Sequence, residues 1–369
     1  MKKNICKRDI NKEIQMSLKP RLATPVVFAL VLALFAPRLS AQQTFKTTIY
    51  FDFSSPLTTD GAKTASLFNQ FNFRRAYFTY ENKINDNLKF RFRYDADNTA
   101  NITSVNFAKS STSKDDKLRP FLKHLYLEYS NLLPNSVIRV GMEETITFKL
   151  AEDRWGYRSV AKTLTDGYKD ITGVDIDATS ADLGLSLTGS LSKYFRYGIQ
   201  VVNGVGYSHA ENDKYKKLLF QAQLVPLAGF SLVGYMDYEK QSDSQKALTY
   251  KFDSTFEMVR NLTVGLEWFR YRNDRNTVAA TGDRYDVGGW SLFGRYIVNP
   301  DKLSLFARYD HYEPNTKTSG DQINLVIAGF DWAPFSTTFR IQPNIWLYNY
   351  EDSAKKNDVF LALTVFMEF

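Results

Sequence analysis

The sequence holds one cysteine and three histidines among 369 residues. Cys6 lies ahead of an apolar run and not at its end, so it is no lipidation site. The rest of the chain has neither a disulfide framework nor a thiolate metal site. His124, His209 and His311 are scattered, and none has a Ser-Asp setting. No catalytic constellation, metal cluster or cofactor is implied. Long apolar stretches are missing too: beyond residue 41 nothing approaches the roughly 20 consecutive apolar residues of a membrane helix. Strong net charge is the last absence. Residues 1–41 carry eight basic side chains (Lys2, Lys3, Lys7, Arg8, Lys12, Lys19, Arg21, Arg38) and two acidic ones (Asp9, Glu13), which is six of the seven net positive charges. The remainder is nearly neutral, so the basic pI is no sign of a nucleic-acid partner.

Residues 25–36 read PVVFALVLALFA, preceded by Lys19 and Arg21 and followed by Leu39-Ser40-Ala41. A basic start, a short apolar core and a small residue at a plausible cut are expected of a secretory signal peptide over 1–41, leaving Gln42 as the mature start. Met16 is a second candidate start that gives a leader of ordinary length.

From about residue 44 to the end, period-two alternation dominates. In LKFRFRYDAD (88–97), Leu88, Phe90, Phe92, Tyr94 and Ala96 face one way and Lys89, Arg91, Arg93, Asp95 and Asp97 the other. That period fits strands and not helices. The runs are about 9–13 residues long, as tilted membrane strands require, where strands of a soluble sandwich average about 5–6. Short connections such as 82–87, 131–136, 226–229 and 299–302 carry the Asn, Gly, Pro and Asp that tight turns need, and they alternate with longer polar stretches. The pattern predicts an all-β fold: a transmembrane antiparallel β-barrel over 42–369, about sixteen strands, with short periplasmic turns and longer outer loops. Its last strand ends on Phe369 with Met367, Val365, Leu363 and Leu361 at every second position. Phe369 is therefore expected to act as the signal read by barrel assembly machinery. Phe195, Phe230, Trp332, Phe339 and Phe369 are expected near periplasmic strand ends and Trp268, Trp290 and Trp346 near outer ends, as two interfacial belts.

If the apolar faces meet lipid, the opposite faces line the lumen. They offer Lys89, Arg91, Arg93, Arg139, Arg196, Lys217, Lys251, Arg295, Arg308 and Arg340, interspersed with Asp95, Glu128, Glu143, Asp237, Glu239, Asp253, Glu267 and Asp310. A sixteen-stranded wall leaves an aqueous channel, so these charges are candidate pore-lining groups, though cross-strand pairing would also account for each of them. The longest connection, 147–178, follows the fifth strand. Over 151–168 it is expected to form a short helix with Trp155, Val160 and Leu164 on one side. Its Lys149, Arg154, Arg158 and Lys162 are expected at a constriction, with Arg154, Arg158 and Lys162 facing the wall arginines or a permeating ion, while Glu152, Asp153 and Asp166 offset them.

FNFRRAYFTYENKINDNLKFRFRYD (71–95), FLKHLYLEY (121–129), IRVGMEE (138–144) and YGIQVVNGVG (197–206) together resemble the phosphate-selective porin O and P family, with its Arg-Arg-Ala, Leu-Glu-Tyr-like, Arg-x-Gly and Val-x-Asn-Gly strands in this order. The resemblance implies an outer-membrane porin. Arginines and lysines dominate the eyelet of phosphate-selective members, whereas the lumen list here is mixed. The expected function is passive diffusion of small hydrophilic solutes with weak anion or phosphate preference, in the cell outer membrane. The expected surroundings are outer-membrane lipid and lipopolysaccharide, with a homotrimer among the assemblies open to the barrel. A structural or adhesin-type barrel is the alternative, and an outer-membrane enzyme a more remote one.

Overall fold

A computed structural model describes residues 42–58, 69–97, 102–106, 111–115, 119–279 and 281–369. The expected signal peptide lies outside them. The first strands are β1 (Gln42–Thr58), β2 (Gln70–Lys83), β3 (Leu88–Asp97), β4 (Ile102–Asn106), β5 (Ser111–Asp115), β6 (Arg119–Ser130) and β7 (Ser136–Glu144). Two short helices follow, α1 (Lys149–Trp155) and α2 (Tyr168–Thr172). The chain continues through β8 (Ala181–Ser192), β9 (Phe195–Val202), β10 (Lys217–Leu227), β11 (Phe230–Lys240), β12 (Lys246–Phe256) and β13 (Leu262–Thr277). It ends with β14 (Arg284–Asn299), β15 (Leu303–Glu313), β16 (Ile323–Ser336), β17 (Phe339–Tyr350) and β18 (Asp358–Glu368).

Sixteen of these strands close into one antiparallel barrel, β18 pairing with β1, and β4 with β5 forms a separate hairpin. Closure leaves no open sheet edge, which is the condition for backbone to cross lipid as strands. The strand count read from alternation is the observed one. That hairpin lies within the long polar connection between β3 and β6. Short turns use residues that tolerate positive φ: Asn131 (65°), Asn135 (54°), Gly229 (80°), Asn261 (64°) and Asp301 (60°). These are the turns that set the register of each hairpin.

The two faces of the wall differ as the alternation requires. Outward, Leu125, Leu127, Val140, Leu183, Leu185, Phe252, Leu361 and Leu363 are exposed. Trp268 and Trp290, exposed and opposite one another in register, mark the long-loop end of the apolar band. Trp346 is a correction: it lies on the inward face of β17 with Asn344 and Tyr348, packs on the interior cluster, and its indole donates to Asn344 Oδ1 at 2.8 Å. Ile345 and Leu347, both apolar, flank it, so alternation could not tell which face was which until the register with β16 and β18 fixed it.

Candidate functional site: a waist formed by an inward loop and two strand bulges

After β7 the chain turns into the barrel. The root is held by polar contacts to inward-facing side chains: Gln221 donates to the Ile146 carbonyl at 2.7 Å, and Thr147 shares a 2.8 Å hydrogen bond with Tyr235. Helix α1 ends at Gly156, whose left-handed φ of 75° supplies the C-cap. An added Cβ there would also sit 2.7 Å from Arg295 Nη1. This glycine is why 151–168 is not the single helix expected from its apolar spacing; α1 and α2 are separated by a turned segment instead.

Trp155, Val160, Leu164 and Tyr168 nonetheless converge. They bury against inward-facing Phe269, Tyr271, Phe293, Phe306, Tyr312, Leu325 and Ile327 of β13 to β16. Trp155 is 0% exposed, edge-on to Phe293 at 5.6 Å, with the Arg308 guanidinium 5.1 Å from its ring centre. Burying a tryptophan contributes several kcal/mol, since truncating one in a core costs about 3–5 kcal/mol. Wall carboxylates and cations then take the loop's free backbone groups. Glu267 accepts from the Leu164 and Thr165 amides at 3.1 and 3.2 Å and from the Thr165 hydroxyl. Arg308 donates to the Lys162 carbonyl at 2.6 Å. Asp177, near the loop's exit, accepts from Tyr271 at 2.5 Å and Gln241 at 2.8 Å. Across the lumen, Arg74 of β2 donates to the Val160 carbonyl at 3.0 Å. The loop thus spans from the β13–β16 wall to β2.

The part of the wall it faces there is built by two β-bulges. Tyr50 pairs with Arg75 and Phe51 with Phe73, so Arg74 is an extra residue in β2. Arg93 pairs with His124 and Tyr94 with Leu122, so Lys123 is an extra residue in β6. A bulge adds a residue without a partner and re-aims side chains. Both members of Arg74-Arg75 and of Lys123-His124 consequently turn inward, where strict alternation would send one of each to lipid. Arg74, Arg75, Lys123 and His124 were missing from the sequence-derived lumen list for that reason. The available signal was the slip itself: two adjacent polar residues interrupting apolar alternation in NFRRAYF and FLKHLYL.

Two cavities flank the waist. One of about 570 Å³ toward the long loops is lined by Tyr50, Asp52, Arg74, Arg75, Arg158 and Tyr207 among others. One of about 410 Å³ toward the short turns is lined by Tyr77, Arg91, Arg93, Lys123, His124 and Arg158 among others. Arg158 borders both, and so marks the narrowing. A third cavity, about 630 Å³, lies under the loop beside Tyr157, Arg295 and Arg340.

Of the ten wall cations singled out from the sequence, Lys217 and Lys251 are buried on Asp237 at 3.5 Å and Asp253 at 2.6 Å, and the other eight also point inward in differing electrostatic settings. Lys89 meets Glu128 at 3.1 Å, Arg91 meets Glu144 at 3.2 Å, and Arg139 meets Glu128 at 2.9 Å. Arg340 pairs with Asp331 at 2.5 Å, while Arg295 stands 3.8 Å from Glu257. Arg308 is buried on Asp310 at 2.6 Å and anchors the loop, so it does not border open lumen as a free charge. Arg196 is exposed at the short-turn end of β9, without an ion pair among the described residues. Arg93 makes a 2.8 Å bond to the Thr79 hydroxyl and lies 4.8 Å from the Tyr77 ring centre, with no carboxylate in ion-pairing distance among the described residues. Of the loop cations, Lys149 bonds Asp153, Arg154 reaches Glu257 at 2.5 Å, and Lys162 reaches Asp170 at 2.7 Å. Arg158 bonds Asp166 and lies 3.2 Å from Glu152. The expectation of facing wall arginines is therefore corrected for Arg154, which turns to Glu257, whereas Arg158 and Lys162, each bonded to a carboxylate, both line the cavity that holds Arg74, Arg75 and Arg308. Burial would raise the Asp166 carboxyl, and the adjoining Arg158 outweighs this, holding it down to about 2. Phe369 is exposed, its amide and carbonyl both bonded to Thr47 of β1 at 2.9 Å.

No family model matches the chain, and no curated protein matches its sequence. Solved structures do. The anion-selective porin from Comamonas acidovorans aligns with a TM-score of 0.60 at 9% identity, over 89% of this chain and 100% of that one. OmpT, an outer membrane protein of Vibrio cholerae in its trimer form, aligns with a TM-score of 0.57 at 12% identity, over 89% of this chain and 99% of that one. Salmonella typhi OmpF in complex with daunomycin aligns with a TM-score of 0.57 at 13% identity, over 89% of this chain and 97% of that one. The chain thus has the closed sixteen-stranded antiparallel barrel fold of outer-membrane porins.

Proposed function

We propose that the protein is an outer-membrane porin, exported by the segment 1–41, that passes small hydrophilic solutes by diffusion through a water-filled lumen. The observation that carries this is the loop crossing from β13–β16 to β2 with polar cavities on either side, rather than a core that fills the barrel. Field lines from charges in such a low-dielectric wall are focused across the narrow part. The cations there are mostly neutralised locally, so the selectivity we infer is a weak anion preference and not tight phosphate binding. A homotrimer belongs to this reading, since OmpT of Vibrio cholerae takes a trimer form.

Purified protein in a planar bilayer is expected to give discrete conductance steps; folded barrels that insert without conducting would instead favour a structural or adhesin-type barrel. In a salt gradient, changing Arg154, Arg158 and Lys162 together to Gln is expected to move the reversal potential toward cation selectivity, because Glu152 and Asp166 lose their cover. Arg158→Gln alone should reproduce most of the shift. Identical reversal potentials for wild type and both variants would remove the loop from the constriction and leave Lys89, Arg91 and Arg93 as the better candidates.

A further inference from the structure

The cavity on the short-turn side of the waist carries charges of both signs, with Arg91, Arg93, Lys123 and Glu144 on the barrel side and Lys149, Glu152, Asp153 and Arg158 on the loop side. On the barrel side stand Arg93, which has no carboxylate partner among the described residues, and His124, brought inward by the β6 bulge. His124 is 1% exposed, and neither ring nitrogen has a hydrogen-bond partner among the described residues; Nδ1 lies 3.6 Å from Glu144 Oε1. A buried polar ring left without partners is costly unless something occupies the space it borders. On the loop side stand Glu152 and Asp153 of α1. Their cation partners, Arg158 and Lys149, belong to the same loop and move with it.

We propose that this cavity is a transit site for small dipolar solutes, amino-acid zwitterions, whose carboxylate meets Arg93 and His124 while the ammonium meets Glu152 and Asp153; it rests on the channel reading above. A guanidinium offers paired N–H donors to a carboxylate, and the Tyr77 ring beneath Arg93 holds that fork in place. Burial pushes the Glu152 carboxyl up from its ordinary value, Arg158 opposing and Asp166 adding to the rise, so one more positive group beside it is favourable. A plain anion engages only the Arg93 side and a plain cation only Glu152 and Asp153, whereas a zwitterion engages both. At about 410 Å³ the cavity has room for a three-carbon amino acid together with several waters, each of which takes about 30 Å³. Contacts at partly hydrated charges are weak enough for release, which conduction requires.

The test is initial uptake of isotope-labelled serine, lactate and ethanolamine into liposomes carrying the full barrel, folding being checked by heat-modifiable migration. Lactate lacks the ammonium and ethanolamine lacks the carboxylate, and both are smaller than serine, so size alone would favour them in a plain pore. Serine is expected to enter about threefold faster than either. Arg93→Gln should abolish the advantage over ethanolamine, and Glu152→Gln the advantage over lactate, while Arg93→Lys, which keeps the charge, should retain part of the first. Lactate entering as fast as serine in the wild type, or serine ratios unmoved in both Gln variants, would overturn the proposal and leave an ordinary diffusion pore. No uptake of any solute by folded barrels would sink the channel reading, and the transit site with it.

Discussion

Glu267→Ala is expected to release the inward loop and raise single-channel conductance, with added current noise, in a barrel that still assembles. The carboxylate takes two loop amides and one hydroxyl in a buried setting. Hydrogen bonds to a charged acceptor contribute about 1.5–3 kcal/mol each, so losing the group costs the docked loop about 3 kcal/mol or more, roughly a hundredfold in its docked population. Lys251 would not be stranded, because it keeps Asp253 at 2.6 Å. The loop would still be tethered by Asp177 and by the Trp155 cluster, so the open form is an excursion and not a wholesale loss of structure. Glu267→Gln, which retains one acceptor oxygen, should fall between. Bilayer recordings together with limited proteolysis of 147–178 check this: Glu267→Ala channels with wild-type conductance, wild-type noise and no new cleavage would mean that Glu267 is not the anchor.

Leu187→Arg is expected to destabilise the barrel strongly while Thr188→Arg, one residue along β8, is nearly silent. Leu187 pairs in register with Ile138 and Ile199, both on the outward apolar face, whereas Thr188 shares the inward face with Ser186. An Arg near the membrane midplane on the lipid side costs about 2–4 kcal/mol. On the lumen side it is hydrated, and a change within about 1 kcal/mol is expected, as for other solvated substitutions. Urea titration of barrels folded into vesicles measures both. A larger loss at Thr188 would mean that β8 is turned the other way, and similar losses that its two faces do not differ as lipid and water.

How much of the site could be read in advance depends on how local each cause is. Alternation, strand length and turn chemistry are properties of adjacent residues, and from them alone the chain determined a sixteen-stranded barrel, its short and long connections, and the inward direction of Lys89, Arg91, Arg93 and Arg139. The apolar spacing of Trp155, Val160 and Leu164 likewise marked the loop as having one buried side. Three things were settled only in the closed barrel. The first is the bulges: whether Arg74 and Lys123 point to lipid or to water depends on the register of β2 against β1 and of β6 against β3, which no single strand contains. The second is charge pairing. Arg308 and Arg93 look alike in sequence, yet one is spent on Asp310 and the loop and the other faces open space, because ion pairing follows distances between strands far apart in the chain. The third is the path of the loop, fixed by Glu267 and Arg74 reaching it from opposite sides of the wall and by the loop's own Asp177 accepting from Tyr271. Periodicity is a short-range property and survives as a pattern in the chain; register, pairing and docking are long-range ones, decided when closure of the barrel brings the strands together.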